Sequence, residues 1–190
     1  MPVPDPMKVA TASRLLQEIE DELGAAGASE QAMDPKIRFP RGFINTAGTY
    51  RARFRCRRKG IGDNVAYTLQ FHDVLRWILQ RTDLGITAQR MVIKYGIVSI
   101  VSVIEGLIYD SLTSHRLVVS KKLRSNLKKA KDAGIISLVT FGLLQEVLRK
   151  REKIHLHLYE ISGTETYDLS DWNSAVAALQ MLAEDLTGET

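Results

Sequence analysis

The chain has 190 residues, of which 45% are hydrophobic and 25% charged, so it is long and apolar enough for one well-buried core. Residues 1–6 lack the basic and apolar regions of a secretory signal. The single cysteine, Cys56, excludes an internal disulfide framework and fits a reducing cytoplasm. The net charge of +4 is unevenly spread, because residues 1–34 carry seven acids whereas residues 36–62 carry nine basic residues and no acid. The middle segment therefore favours phosphate-bearing partners.

Apolar spacing predicts a first helix over residues 7–24, followed by a long connection that ends near residue 48. Residues 49–57 alternate basic residues with small or apolar ones, which is the period of a β-strand. We therefore expect an extended or β-hairpin basic arm near residues 49–58. Residues 1–62 would form an N-terminal extension that carries an acidic helix and this arm.

Periodic apolar residues predict further helices over residues 63–82, 87–114, 121–133, 142–158 and 169–186. The inner face of the first of these is expected at Phe71, Val74, Leu75 and Ile78. The helix over 87–114 has the broadest apolar face and should be central. Its cleanest apolar stretch, residues 95–104, is too short to span a bilayer, so we expect a buried core helix and no membrane partner. Residues 63–190 are thus predicted to form an all-α bundle, with five to six helices in the chain.

Arg151 and His155 lie on the apolar stripe of the helix predicted over residues 142–158. An arginine can bind a phosphodiester bidentately, and a histidine near neutral pKa can exchange a proton with a ribose hydroxyl. Together these roles suit metal-free RNA cleavage. The alternative is structural: Arg151 pairs with Glu105 or Asp110 on the central helix, and His155 is a satisfied core histidine.

Metal and cofactor sites are not expected. His155 and His157 have a His-x-His spacing, but on a helix they point about 160° apart, and no third ligand is obvious nearby. The sequence contains no Gly-rich phosphate loop, no Ser-His-Asp signature and no zinc spacing.

The basic arm supplies six candidate RNA-binding residues: Arg51, Arg53, Arg55, Arg57, Arg58 and Lys59. Tyr50 and Phe54 would be available to stack on bases. The alternative is that this run is a solvated face, or that it meets the acidic N-terminal helix.

Four segments follow one another between residues 63 and 187: "IVSIVSVIEGLIYDSL", "KLRSNLKKAKDAGII", "LLQEVLRKREKIHLHLYE" and "DLSDWNSAVAALQMLAEDL". In this order they resemble the HEPN superfamily of α-helical proteins. The resemblance implies a HEPN-like helical bundle. It also implies a metal-independent endoribonuclease of a prokaryotic toxin–antitoxin, abortive-infection or related defence system, with RNA as substrate and an antitoxin or defence-system protein as partner.

Family members place an arginine and a histidine in a composite site between two protomers, so the resemblance implies a homodimer. Family members usually have four to six residues between the arginine and the histidine. Arg149 with His155, and Arg151 with His157, each have five intervening residues, whereas Arg151 and His155 have three but share the apolar stripe. Glu152 stands where the family commonly has asparagine. Other members are noncatalytic RNA-binding or assembly modules, which is the alternative function.

Overall fold

The computed structural model describes residues 5–25, 42–152 and 167–188. Within these ranges the chain is helical and contains no strand, which confirms the predicted all-α class. The helices are α1 (Pro6–Ala25), α2 (Ala47–Arg53), α3 (Lys59–Arg81), α4 (Ile86–Ser114), α5 (Leu123–Asp132), α6 (Leu138–Glu152) and α7 (Leu169–Thr187).

The chain divides into two compact units, residues 1–39 and residues 40–190. The first unit contains α1, which confirms the helix predicted over residues 7–24. An i,i+4 ion pair joins Arg14 to Glu18 on α1, and the helix exposes the apolar side chains of Leu15, Leu16 and Ile19. The second unit contains α2 to α7 and every site described below.

Helix α4 forms the centre of the second unit and packs against α3, α5, α6 and α7. Its predicted apolar face is confirmed by eight buried side chains: Ile93, Ile97, Ile100, Val101, Ile104, Leu107, Ile108 and Leu112. By length and composition alone α4 could cross a membrane, but 61% of its most apolar window is buried inside the protein. An apolar helix covered in this way by neighbouring helices has the burial of a core helix.

Trp172 of α7 connects α7 to both α4 and α3. Its ring lies so close to Gly96 of α4 that a Cβ atom built on this glycine would be 2.6 Å from two ring carbons. Its indole Nε1 donates a 2.8 Å hydrogen bond to Nε2 of His72 on α3, and both side chains are buried. Burial lowers the pKa of His72 from 6.5 to about 4, although the neighbouring Asp73 carboxylate acts in the opposite direction. His72 is therefore neutral at physiological pH and can accept this bond.

The buried Asp73 carboxylate joins α3 to α2 and to the residues that precede α2. It accepts hydrogen bonds from the Tyr50 hydroxyl at 2.6 Å and from the Asn45 backbone N–H at 2.9 Å. The Arg76 guanidinium lies 3.4 Å from its second oxygen. Burial, followed by the hydrogen bond to Asp73, raises the pKa of Tyr50 to about 12, so the phenol remains a donor.

The strand predicted for residues 49–57 is not formed, because residues 49–53 belong to helix α2 and residues 54–57 are irregular. The expected β-hairpin is therefore absent from this segment. Thr46 caps the helix, because its side-chain oxygen accepts a hydrogen bond from the N–H of Thr49. Tyr50 and Phe54, four positions apart, are both buried. Burial of these two aromatic rings at helical spacing outweighs the alternation of the arginines, which lie on the solvent side.

The inner face predicted for α3 is only partly correct. Leu75 is buried as predicted, but Phe71 is 51% exposed, and Val74 and Ile78 are only partly buried. The remaining buried residues of α3 are Gly62, Val65, Ala66, Leu69, His72 and Asp73. Hydrophobic periodicity does not mark His72 and Asp73 as members of this face, because both residues are polar.

We expect Gly96→Ala to destabilise the protein by about 1–3 kcal/mol, because the added methyl group would overlap the buried Trp172 ring. Urea unfolding followed by circular dichroism measures this change. Gly142→Ala is the matched control, since Gly142 is also helical but has nothing within 4 Å of a built Cβ. The control should be stabilised by about 0.5–1 kcal/mol. Equal free energies of unfolding for the two variants would contradict the assigned packing.

Candidate nucleic-acid interface

The six cations predicted to bind RNA lie on the last turn of α2, in the irregular segment 54–58 and on the first residue of α3. We call them the basic surface, and all six are exposed: Arg51, Arg53, Arg55, Arg57, Arg58 and Lys59. They do not share one strand face, since the segment is helical as far as Arg53. Among carboxylates of the described residues, Asp63 pairs with Arg51 at 2.6 Å, and none forms an ion pair with the other five cations. The basic surface is therefore largely free of neutralising acids in this part of the chain.

Asp110 of α4 fixes the backbone of the basic surface. One of its oxygens accepts the Arg57 backbone N–H at 2.8 Å, and the other accepts the Arg58 backbone N–H at 3.1 Å. The carboxylate is only 5% exposed. A buried carboxylate requires such donors, and main-chain donors leave the arginine side chains available for other partners.

Tyr50, which was predicted to stack on bases, is buried and donates to Asp73, so that prediction is wrong for Tyr50. Phe54 is only 6% exposed and lines a cleft described below. Two other tyrosines expose their rings beside the cations. The Arg51 guanidinium lies 5.8 Å from the centre of the Tyr67 ring, and the Arg58 guanidinium lies 5.3 Å from that of Tyr109. Arg58 also donates to the Tyr109 hydroxyl at 3.3 Å. Sequence reasoning missed both rings, because they are 16 and 51 positions from their arginines and only the fold brings them together.

A cleft of about 150 Å³ opens beside the basic surface, where the C-terminal ends of α2, α4 and α7 meet. We call it the basic cleft. Its apolar walls include Phe54, Leu107, Ala183 and Leu186. Its polar lining comes from Arg53, Arg55, Arg57, Asp110, Ser111, Ser114, His115 and Thr187. The cleft therefore combines an apolar interior with several cations.

Cys56 and His115 are the other chemically notable residues of the basic cleft. Burial, followed by the nearby Asp110 charge, raises the pKa of the Cys56 thiol to about 11, so it is a poor nucleophile at neutral pH. The His115 Nδ1 atom lies 2.9 Å from the Ser111 carbonyl oxygen and must donate to it. This bond fixes the ring and leaves Nε2 to interact with a ligand. The sequence placed His115 in no motif, and its position was found only from the fold.

Arg149, Lys150 and Arg151 occupy the last turn of α6. Arg149 is exposed and pairs with Glu146 at 2.5 Å. Arg151 is partly buried and forms an ion pair with neither Glu105 nor Asp110, the two structural partners considered above. His155 and His157 lie outside the described residues, so the structure does not place them relative to these arginines.

The end of α6 is attached to the beginning of α7. Lys150 forms an ion pair with Asp171, and the buried Tyr167 donates a 3.0 Å hydrogen bond from its hydroxyl to the Lys150 carbonyl oxygen. Asp171 also completes a capping box with Asp168, which is the N-cap of α7. The helical turn that carries Arg151 is therefore held against α7.

Comparison with known proteins identifies no relative: no family model matches the chain, and no curated protein or solved structure matches it significantly. In the described ranges, no group of three or more His, Cys, Asp or Glu side chains is arranged to hold a metal ion. The functional interpretation therefore depends on the geometry of the basic surface, the basic cleft and the α6 terminus.

We expect Asp110→Ala to lower the free energy of unfolding by about 2–3 kcal/mol, because it removes two charge-assisted hydrogen bonds from the basic surface. The amide hydrogens of Arg57 and Arg58 should also exchange faster with solvent, which hydrogen-exchange NMR measures. Glu105→Ala is the control, since Glu105 is exposed on the same helix. It should change stability by no more than about 0.5 kcal/mol. Unchanged protection of both amides in Asp110→Ala would show that this anchor is not formed.

Proposed function

We propose that the protein binds single-stranded RNA across the basic surface. The observation that supports this most directly is the set of six exposed cations beside the exposed rings of Tyr67 and Tyr109. Cations attract backbone phosphates, and exposed aromatic rings stack on unpaired bases. A single strand fits better than a duplex, since the bases of a duplex are stacked and inaccessible to such rings.

Preorganisation of the basic surface supports the same function. Asp110 holds the backbone at Arg57 and Arg58, so its charge is compensated by main-chain N–H groups rather than by their guanidinium groups. A groove of about 540 Å³, lined in part by Arg51, Lys59 and Tyr67, continues this surface towards α3. A ligand thus meets cations on an ordered backbone, which reduces the entropy lost on binding.

We expect the affinity for a short uridine RNA to fall as salt rises, because binding releases counterions from the phosphates. For single strands, log K should fall with log salt by about 0.7 for each phosphate neutralised. Removing one contacting cation, in Arg55→Gln or Lys59→Gln, should therefore weaken binding and reduce the slope by about 0.7. Fluorescence anisotropy between about 50 and 200 mM salt measures both quantities.

Arg81→Gln is the matched control for these charge changes. Arg81 is an exposed arginine at the opposite end of α3 from Lys59, roughly 30 Å away along the helix. It should leave the affinity and the salt slope unchanged. A dissociation constant that does not change with salt concentration would contradict binding at the basic surface. Equal changes in Arg55→Gln, Lys59→Gln and Arg81→Gln would contradict it as well.

We also propose that this RNA-binding protein is a HEPN-type, metal-independent endoribonuclease of a prokaryotic defence or toxin–antitoxin system, acting as a homodimer. The support is the sequence resemblance, together with the position of Arg151 on a turn of α6 that is attached to α7. Arg151 would bind the scissile phosphate, and His155 would serve as acid or base. Arg149 with His155, and Arg151 with His157, remain the alternative pairs that the family spacing favours.

The cleavage step would proceed by attack of the ribose 2′-oxygen on the adjacent phosphorus. The new O2′–P bond forms as the P–O5′ bond breaks, which gives a 2′,3′-cyclic phosphate and a 5′-hydroxyl end. The base removes the proton from the 2′-hydroxyl, and a proton is returned to the leaving 5′-oxygen. The arginine stabilises the additional negative charge on the phosphoryl oxygens during this exchange.

We expect the purified protein to cleave RNA in EDTA, and His155→Ala, purified in the same way, to cleave it at least about 100-fold more slowly. Arg151→Ala should show a similar loss with little change in melting temperature, because Arg151 has no carboxylate partner among the described residues. Arg149→Ala is the comparison, since Arg149 already pairs with Glu146. Product-end analysis should find 2′,3′-cyclic phosphates.

Three results would test the enzyme against the noncatalytic RNA-binding or assembly module. Equal cleavage by the wild type and by His155→Ala would show that His155 is not the acid or base of the reaction. Salt-dependent RNA binding without cleavage in EDTA would favour the noncatalytic function. If Arg151→Ala instead lowers the melting temperature sharply, Arg151 has a structural role.

A further inference from the structure

The basic cleft shares Arg53, Arg55 and Arg57 with the basic surface but differs from the rest of it, because the cleft also provides an apolar wall. Phe54 and Leu107 are 6% and 4% exposed, and Leu186 is partly buried at the C-terminal end of α7. An apolar wall contributes nothing to the binding of a bare phosphate. Its presence beside three arginines suits a ligand that has both an apolar ring and a negative charge.

The size of the cleft determines how much of a base its apolar wall can cover. Its volume is about 150 Å³. An apolar protein cavity of about 150 Å³ accommodates one benzene molecule. A single six-membered ring can therefore lie within the open cleft, whereas the fused rings of a purine would extend beyond its apolar wall. This comparison favours a pyrimidine over a purine.

The charges around the cleft place the phosphate of such a ligand. Arg53, Arg55 and Arg57 line the cleft from the segment between α2 and α3. The one carboxylate in the lining, Asp110, is occupied by two backbone N–H groups, which reduces its repulsion of an anion. His115 donates through Nδ1 to its own helix, and Ser114 and Thr187 add hydroxyl groups to the polar lining. A phosphate at the arginines and a ring against Phe54 would use both parts of the cleft.

We infer that the basic cleft binds one unpaired pyrimidine nucleotide, with its ring against Phe54 and Leu186 and its phosphate at Arg53, Arg55 and Arg57. This inference rests on the proposed RNA binding, and it adds a base preference to a surface that otherwise contacts phosphates and stacks on bases of any kind. The same contacts would bind a free pyrimidine nucleotide as well as one within an RNA chain, so the experiments test free nucleotides and RNA separately.

The first test titrates the protein with cytidine, uridine and adenosine 5′-monophosphates, using calorimetry and amide NMR shifts. We expect the two pyrimidine nucleotides to bind at least about tenfold more tightly than the purine, and to shift the amides of residues that line the cleft. Cytidine without its phosphate should bind more weakly than the monophosphate. Equal affinity for purine and pyrimidine nucleotides would overturn the inference.

The second test fills the cleft. Thr187→Trp introduces a large ring from the exposed end of α7 and should weaken cytidine monophosphate binding at least about tenfold. Ser174→Trp is the matched control, because both hydroxyls are exposed on α7 and both donate to the carbonyl oxygen four residues earlier, but Ser174 lies outside the cleft. Melting temperatures verify that both variants fold.

Arg55→Gln, compared with Arg81→Gln, tests the phosphate position without adding bulk. Wild-type affinity in Thr187→Trp or in Arg55→Gln would contradict the site.

RNA ligands separate the cleft from the wider proposal. A short uridine RNA should bind more tightly than an adenosine RNA of the same length, and Thr187→Trp should abolish this difference. If both RNAs bind equally and with the same salt dependence, the cleft inference fails while RNA binding by the basic surface stands. If cytidine monophosphate binds in the cleft but no RNA binds, the RNA-binding proposal fails and the cleft remains a site for a free nucleotide.

Discussion

The contact between Trp172 and Gly96 determines how the helices of the second unit meet. The indole occupies the space that a side chain on Gly96 would fill, so α7 approaches the backbone of α4 directly. The same indole needs an acceptor for its buried N–H, and a neutral His72 on α3 provides it at 2.8 Å. Three helices are thus positioned by one side chain, which must satisfy a steric and a polar requirement together. Apolar packing along α4 then follows from this arrangement.

Helix α4 connects the Trp172–Gly96 contact to the candidate interface. Asp110 lies 14 positions beyond Gly96 on a continuous helix, which corresponds to about 21 Å. Because the helix is rigid and buried, the carboxylate has a fixed place from which to hold the backbone of Arg57 and Arg58. The far end of α7, which is oriented by Trp172, supplies Leu186 and Thr187 to the basic cleft. The geometry of the interface therefore depends on the core rather than on local loop sequence.

Helical periodicity was sufficient to predict α1, α3, α4, α5 and α7 and to place a helix at α6, because each of these helices carries repeated apolar residues. The part of that helix predicted over residues 153–158 lies outside the described residues. It was insufficient where polar groups are buried. His72 and Asp73 belong to the inner face of α3 through bonds to Trp172 and Tyr50, which are distant in the sequence. The arginine alternation around α2 similarly concealed Tyr50 and Phe54 at helical spacing. For the candidate site, the cations were identified from sequence, whereas Tyr67, Tyr109 and the cleft residues required the fold.

The hydrogen bonds of Asp110 to the main chain distinguish the basic surface from an ordinary solvated charged face. On such a face, arginines and carboxylates commonly form side-chain ion pairs, which contribute little to stability and compensate the positive charge. Here the nearest buried carboxylate binds main-chain N–H groups instead, and Asp63 compensates only Arg51 within the described part of the chain. The protein thus orders the backbone with a negative charge but leaves most guanidinium groups accessible. In the free protein the uncompensated cations repel one another, which destabilises this surface. Binding of a polyanion relieves that repulsion.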